Sequence, residues 1–384
     1  MNKPRLFLHI GHPKTGTTSI QTFLLANRQT LRAQGVLYPE TGLHDSAHRL
    51  ISPAFYSAAA LEDQAPLHMT RLLKEIAESG CRTVILSFEG FCGDNPACFT
   101  ALRDRIDTTV IYYVRRQDHI AESRYAQHVR SFLMQEIRPA ALAIRQKGFL
   151  PDYLRVLRLY EAVFGRDRLA VRVFEREALV GRDLITDFLH ATGIAPSPAF
   201  VPSTSTNASL KRPYLAFKRH CNLLPFLNDE QKRLNKNLND LSNADPAPSL
   251  GHILSPADRR ALFESQENEN AEVARVYLGR PDGILFHEPP PPPENPWEPL
   301  LPLTPGAQWG VFEKLSPENR SCIEFLHRAA RLALPGDPLL PELPDANPAL
   351  GDILLEKRTT RQFQRRLALL EQLAADPSNL AGRA

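Results

Sequence analysis

Residues 5–19, RLFLHIGHPKTGTTS, limit the fold more than any other part of the chain. A short apolar run ends at Gly11, as a buried parallel strand entering a loop should. From Thr17 to about Ala33, residues Ile20, Phe23, Leu24 and Leu31 recur at helical spacing, and Gly35 follows as a stop. Strand, glycine-bearing loop and helix, in that order, present backbone N–H groups at a helix N-terminus, where an anion binds. Three more runs rich in β-branched and aromatic residues lie at 82–88, 107–114 and 168–174, each leading into polar residues. Helical patterns at 66–79, 117–133 and 151–164 fall between them. The alternation predicts an α/β fold, a parallel sheet of about five strands flanked by helices. Ligands of such sheets sit at the carboxyl ends of the strands.

Gly11 and Gly16 are spaced as in the triphosphate-binding pattern G-x-x-x-x-G-K-[ST], but Thr17 stands where that pattern needs its lysine. Lys14 lies inside the loop instead. Two glycines let the backbone approach a phosphate closely, and Thr15, Thr17 and Thr18 add hydroxyl donors. The loop is suited to an anion, with its cation displaced by three positions.

The stretch PKTGTTS resembles the 5′-phosphosulfate-binding loop of the sulfotransferases that use 3′-phosphoadenosine-5′-phosphosulfate (PAPS), in which the lysine belongs inside the loop. The resemblance implies the P-loop-like three-layer sandwich. It assigns Lys14 to the oxygen bridging sulfuryl group and nucleotide, and Thr15, Gly16, Thr17 and Thr18 to the 5′-phosphate. The family's second signature is a strand, then Arg, seven residues and Ser, which hold the 3′-phosphate. VIYYVRRQDHIAESRY matches it with Arg115 and Ser123. A guanidinium plus a hydroxyl suits a phosphomonoester dianion; a solvated charge pair at a strand end is the alternative for Arg115 and Arg116. A weaker match at 205–219, STNASLKRPYLAFKR, offers Lys211 or Arg212 to the same phosphate, against an ordinary basic surface turn. NENAEVARVYLGRPDGILF, at 268–286, is similar to the end of many bacterial sulfotransferase domains. The resemblance thus spans about three-quarters of the chain and implies a boundary near residue 290.

Sulfuryl transfer needs in-line attack, charge stabilisation on the leaving oxygen and removal of the acceptor proton. Lys14 suits the leaving oxygen. Glu89, directly after the strand at 82–88, suits the base, with a helix cap or salt-bridge carboxylate as the alternative. In the family a glutamate there accompanies glycan acceptors, and a histidine accompanies small phenols and steroids. His12, His44 and His48 are rivals for the base. His44 and His48 have the spacing of one helical turn, which suggests zinc, but no third ligand is evident and the family needs no metal. No metal is expected.

The net charge of +3 over 384 residues argues against a nucleic-acid binder with a broad basic field and allows a local anion site. The five cysteines form no C-x-x-C pair, which fits free thiols in a reducing cytoplasm. The apolar run at the start is too short for a signal-peptide core, and no stretch is long enough to span a membrane. Residues 254–264, LSPADRRALFE, open a helix with Ser255 as cap and Pro256 at its first position. Composition changes after Phe286. Residues 289–305 hold nine prolines, and from Pro293 to Pro305 they recur every third residue, as along one edge of a polyproline II strap. Trp297 and Trp309 lie in or beside it, so packing against something is expected. Residues 357–373 form a basic amphipathic pattern, expected to pack on its own domain.

The expected organisation is a PAPS-binding domain over 1–288, a proline-rich linker over 289–310 and a helical C-terminal extension over 311–384. The expected activity is transfer of a sulfuryl group from PAPS to a hydroxyl or amine of a glycan or related metabolite. A P-loop kinase using ATP and magnesium is disfavoured by Thr17 and by the lack of an obvious second acidic motif. The remaining alternative is a protein that holds PAPS or its product without turnover.

Overall fold

The computed structural model describes residues 3–52, 58–93, 96–131, 150–203, 210–222, 224, 226, 228–247, 252–289 and 292–333, with backbone alone at 58–66 and 327–333. The basic pattern at 357–373 lies outside them. Two compact units interleave along the chain. The first comprises Met1–Ile120, Leu150–Thr206 and Arg260–Pro290; the second comprises Ala121–Phe149, Asn207–Arg259 and Pro291–Ala384.

The first unit is built on five parallel strands: β1 (Arg5–His9), β2 (Val36–Leu37), β3 (Thr83–Ser87), β4 (Asp107–Val114) and β5 (Leu169–Val173), in spatial order β2-β3-β1-β4-β5. Four match the runs read from the sequence. The fifth, β2, has only two residues, too few to show a period. Helices α1 (Thr17–Ala26), α2 (Arg28–Ala33), α3 (Ala58–Ser79) and α4 (Thr100–Arg105) precede α5 (Gln117–Ser131), which continues into the second unit. Then come α6 (Tyr153–Phe164) and α7 (Leu184–Thr192).

Alternation along the strands feeds two cores. Leu6, Leu8, Val84, Leu86, Val110 and Tyr112 face Leu72, Ile76, Leu102, Leu157 and Tyr160 of α3, α4 and α6. Phe7, Ile85, Ile111 and Tyr113 face Ile20, Phe23, Leu24 and Phe188 of α1 and α7. A central strand buried on both faces reads as a continuous apolar run, as β1 and β3 do. The result is a P-loop-like α/β sandwich.

The single helix expected from Thr17 to Ala33 is two helices, broken at Asn27. The Asn27 amide donates to Phe23 O (2.8 Å) and Val201 O (2.9 Å), and its Oδ1 accepts from Val201 N (2.7 Å). Pairing with a remote backbone outweighs local helix continuity.

The remaining helices are α8 (Arg212–Cys221) and α9 (Asn228–Ala244) in the second unit, α10 (Pro256–Glu264), which crosses back into the first, α11 (Glu267–Tyr277) in the first, and α12 (Pro305–Phe312) and α13 (Pro317–Ala333) in the second. Ser255 caps α10 as expected, accepting from Asp258 N at 3.0 Å. The proline segment is not a continuous polyproline II strap. Asn295 N bonds Pro292 O (3.0 Å) across a turn, and polyproline II has no internal hydrogen bonds. The strap does pack: His252 N donates to Pro296 O (3.3 Å) and Glu298 N to His252 O (2.9 Å), a bridge that pairs His252 with Trp297. Trp297 and Trp309 nevertheless stay 45% and 42% exposed, and the attachment is through that backbone bridge and the ion pair of Glu298 with Arg212.

Asp187 of α7, fully buried, ties that helix to the sheet. It accepts from Tyr113 Oη (2.7 Å), Arg172 Nε (3.0 Å) and Val180 N (3.0 Å). Burial raises its pKa, but bonds from Arg172, Val180 N–H and Tyr113 outweigh burial and hold the carboxyl below its usual value. Its contribution is therefore complete above the unfolded pKa near ~4 and is lost as pH falls through the lower folded value. Asp187→Asn is expected to cost about 3 kcal/mol at pH 7, the low end of the range for a broken buried pair because Arg172 reaches solvent. In urea unfolding the gap between variant and wild type should narrow in acid; a gap independent of pH would contradict the assignment.

Candidate active site

The loop between β1 and α1 turns through three unusual residues. Gly11 and Gly16 have φ of 39° and 78°, and Lys14 between them has φ of 75°, a left-handed conformation that costs a side chain roughly 1–2 kcal/mol. Thr15 is fully buried and closes the turn: its N–H and its hydroxyl both donate to His12 O, at 3.2 and 2.7 Å. Gly16 is the N-cap of α1, and no side chain caps that helix. Among the described residues, the amides of Gly16, Thr17 and Thr18 have no hydrogen-bond acceptor. Three N–H groups at a helix start, behind a lysine, form a cradle for an anion. Gly16 also gives room: a Cβ there would lie 2.2 Å from Leu184 Cδ2 and 3.1 Å from Phe174 Cε2.

Arg115, at the end of β4, reaches this loop. Its Nη1 donates to Lys14 O at 2.9 Å, and its guanidinium lies 5.5 Å from the centre of the Phe174 ring. The backbone of Arg115 is held from the other side by Tyr153, whose hydroxyl accepts from Arg115 N (2.9 Å) and donates to Arg115 O (2.5 Å). Tyr153 also packs edge-on against His12, with ring centres 5.9 Å apart. Two motifs about a hundred residues apart thus meet within one unit. The neighbouring Arg116 is 2% exposed and has a different task. It makes a bidentate pair with Asp118 (2.8 and 2.9 Å) and donates to Glu288 O and Pro289 O. The pair of arginines is not a solvated charge pair.

Glu89 follows β3, at the start of a short 3-10 turn, and is half-buried. Its Oε2 accepts from Gln21 Nε2 of α1 at 2.9 Å, and its Cα lies 3.5 Å from where a Gly11 Cβ would be. The carboxylate therefore stands beside the loop, oriented by the helix that the loop starts.

The histidines divide by their partners. His48 is fully buried, its Nδ1 accepting from Ser87 N (3.2 Å) and its Nε2 donating to Pro39 O (3.1 Å). Both nitrogens are committed and burial lowers its pKa to about 4, so His48 is a structural strut and not a base. Residues 44–47 form a tight bridge, not a helical turn, so the His44–His48 pairing for zinc does not arise. His12 is nearly buried, with Nδ1 donating to Pro13 O at 2.9 Å. His9 is one residue that the sequence did not single out. It is fully buried beneath the loop, with Nδ1 2.7 Å from Ser87 Oγ, no partner for Nε2 and a pKa lowered by burial to about 3. It serves as a neutral spacer. Gln21 and Tyr153 were missed too, because their partners are far away in sequence.

Ser123, Lys211 and Arg212 belong to the second unit. Ser123 is half-buried on α5. Lys211 Nζ donates to Asp245 O and to Ala247 O (2.7 Å); Arg212 pairs with Glu298 and donates to His252 O (2.7 Å). Both basic side chains are engaged inside their own unit. Beside them His252 Nδ1 lies 2.8 Å from Glu122 Oε2. Among the described residues no group of three or more His, Cys, Asp or Glu is arranged to hold a metal ion, and no helix is long and apolar enough to cross a membrane.

Gly16→Ala should destabilise the chain by more than Gly35→Ala. Both positions are left-handed, each costing roughly 1–2 kcal/mol, but nothing lies within 4 Å of a Cβ at Gly35. At Gly16 displacement of Leu184 and Phe174 adds about 1–3 kcal/mol. Thermal unfolding of the two variants checks the order, and equal losses would mean that the close approach at Gly16 is unimportant.

No known protein family and no curated protein matches the sequence. Among solved structures, the chain is similar to a sulfotransferase from Alicyclobacillus acidocaldarius, with 20% identity over 69% of this chain and 97% of that one, at a TM-score of 0.34. It is also similar to the sulfotransferase domain of the Synechococcus PCC 7002 olefin synthase, with 14% identity over 69% of this chain and 95% of that one, at a TM-score of 0.32. Likeness at this level assigns no residue a role.

Proposed function

We propose that the chain is a sulfotransferase that moves a sulfuryl group from PAPS to a hydroxyl or amine, with a glycan or related metabolite as acceptor. The observation that carries this reading is the bond from Arg115 to the carbonyl of Lys14. It joins a loop whose lysine sits before the second glycine to the strand-end arginine expected for a 3′-phosphate. The donor set fits the nucleotide: three unpaired amides and Lys14 for the 5′-phosphosulfate, and Arg115 for the second phosphate. Ser123, Lys211 and Arg212 are carried as further contacts to that phosphate on the resemblance alone.

The donor supplies an activated sulfuryl group, bonded to the 5′-phosphate through a bridging oxygen. Glu89 takes the proton of the acceptor hydroxyl while the acceptor oxygen bonds to sulfur. Lys14 and the amides of Gly16, Thr17 and Thr18 hold the charge left on the 5′-phosphate as the old S–O bond breaks. Gln21 keeps Glu89 aimed at the loop. Positioning and charge stabilisation supply most of the acceleration, as for phosphoryl transfer.

The test is transfer of radiolabelled sulfur from PAPS to a panel of glycans and amino sugars. Glu89→Gln keeps the bond partner and removes basicity, so turnover should fall about 10²–10⁴-fold, the usual worth of a general base. Donor affinity should hardly change. Lys14→Ala should lower both. Full turnover in Glu89→Gln, at a pH where chemistry limits the rate, would remove Glu89 from the mechanism and the glycan preference with it.

A further inference from the structure

The amino ends of the strands, at the opposite edge of the sheet from the loop, carry a second concavity. Its volume is about 810 Å³, and Lys3, Arg5, Arg82, Arg103 and Arg168 line it, with Asp107 the one carboxylate among the lining residues. Three of the five cations have evident structural partners. Arg168 pairs with Asp107 at 2.6 Å. Lys3 Nζ donates to Asp104 O (3.1 Å) in the last turn of α4, and Arg103 Nη1 to Val163 O (3.4 Å) in the last turn of α6. Cations at helix C-termini are favoured in this way. Arg103 also pairs with Asp104, at 2.7 Å.

Arg5 and Arg82 are different. Arg5 opens β1 and Arg82 immediately precedes β3; Arg5 N donates to Arg82 O at 2.8 Å, and the register partner of Arg5 is Thr83. Neither guanidinium has an ion pair or a hydrogen bond among the described residues, and both are exposed. A concavity lined mostly by one sign of charge focuses its field. Buried Ile106 and Thr108 form part of the lining, so the arginines project over a firm base.

We propose that this concavity binds a polyanion with at least two sulfate or phosphate groups, held by the guanidinium forks of Arg5 and Arg82. Guanidinium forks match the tetrahedral oxyanion bidentately, and two forks lining one concavity select a ligand with more than one anionic group over a single ion. The site is separate from the loop of Lys14, since β1 alone spans ~17 Å at the usual rise per residue. It stands whether or not the chain transfers sulfuryl groups.

The experiment is calorimetric titration of the full chain with two probes, sucrose octasulfate and inorganic tripolyphosphate. At least one should bind, and the double variant Arg5→Ala/Arg82→Ala should weaken it at least about tenfold, while Lys14→Ala changes that affinity less than about twofold. Binding of the octasulfate alone identifies a sulfated sugar as the ligand class; binding of both identifies oxyanion spacing as the feature read. The milder Arg5→Lys/Arg82→Lys keeps the charge and loses the forks, so it should weaken binding several-fold in a chain whose thermal unfolding is unchanged. The proposal is overturned if neither probe binds at millimolar concentration, or if the loss follows Lys14→Ala and spares the arginine variants.

Discussion

The hydrogen bond from the Arg115 guanidinium to the Lys14 carbonyl ties together two segments that the pairing of β1 with β4 has already brought side by side. Lys14 occupies a backbone region that a side chain resists, and a left-handed residue persists only where its surroundings over-determine it. Those surroundings can be named. Thr15 closes the turn on His12, Gly16 passes under Leu184 and Phe174, and Tyr153 grips the backbone of Arg115 at both N–H and C=O. The strain at Lys14 places its side chain within the loop rather than along the helix. Among the described residues, the amides of Gly16, Thr17 and Thr18 are left without acceptors. Had the lysine followed Gly16, it would sit on the first turn of α1.

The sheet behind this arrangement is polar in its chemistry. At the carboxyl ends of the strands stand the loop, Glu89 and Arg115; at the amino ends stand Arg5, Arg82 and their basic neighbours. Both ends attract anions, by different means. The first uses backbone amides and a helix start, which give direction and close approach. The second uses exposed guanidinium groups, which give charge and a bidentate match. Between them lie two apolar cores that fix the strands in register, so neither end depends on a mobile support.

Much of the framework was legible because a buried parallel strand writes itself as an unbroken apolar run. RLFLH and TVILS come closest, DTTVIYYV does so over its second half and LAVRV is broken by Arg172; the residues after the first three are the ones that meet at the site. What escaped depended on distant partners. β2 is two residues long and owes its place to pairing with β3. The helix break at Asn27 is made by the backbone of Val201. His48 reads as a candidate base until Ser87 N and Pro39 O are found on its two nitrogens. The lysine position and the Arg115 motif were legible as residues, but their bond was not, since the sequence gives no sign of which atom of Lys14 faces the guanidinium. The proline repeat misled for a local reason: Glu294 and Asn295 interrupt it with a hydrogen-bonded turn.

The central claim is that this loop holds a bisphosphorylated nucleotide through its own lysine and amides together with Arg115. Calorimetric titration of the wild-type chain with adenosine 3′,5′-bisphosphate in the presence of a chelator tests it most directly, set against ATP with magnesium. The account predicts saturable one-to-one binding of the bisphosphate without metal, at least about tenfold tighter than Mg-ATP, the worth of one charge-assisted contact to the 3′-phosphate. Tighter binding of Mg-ATP, with none of the bisphosphate, would contradict it and return the loop to the triphosphate enzymes.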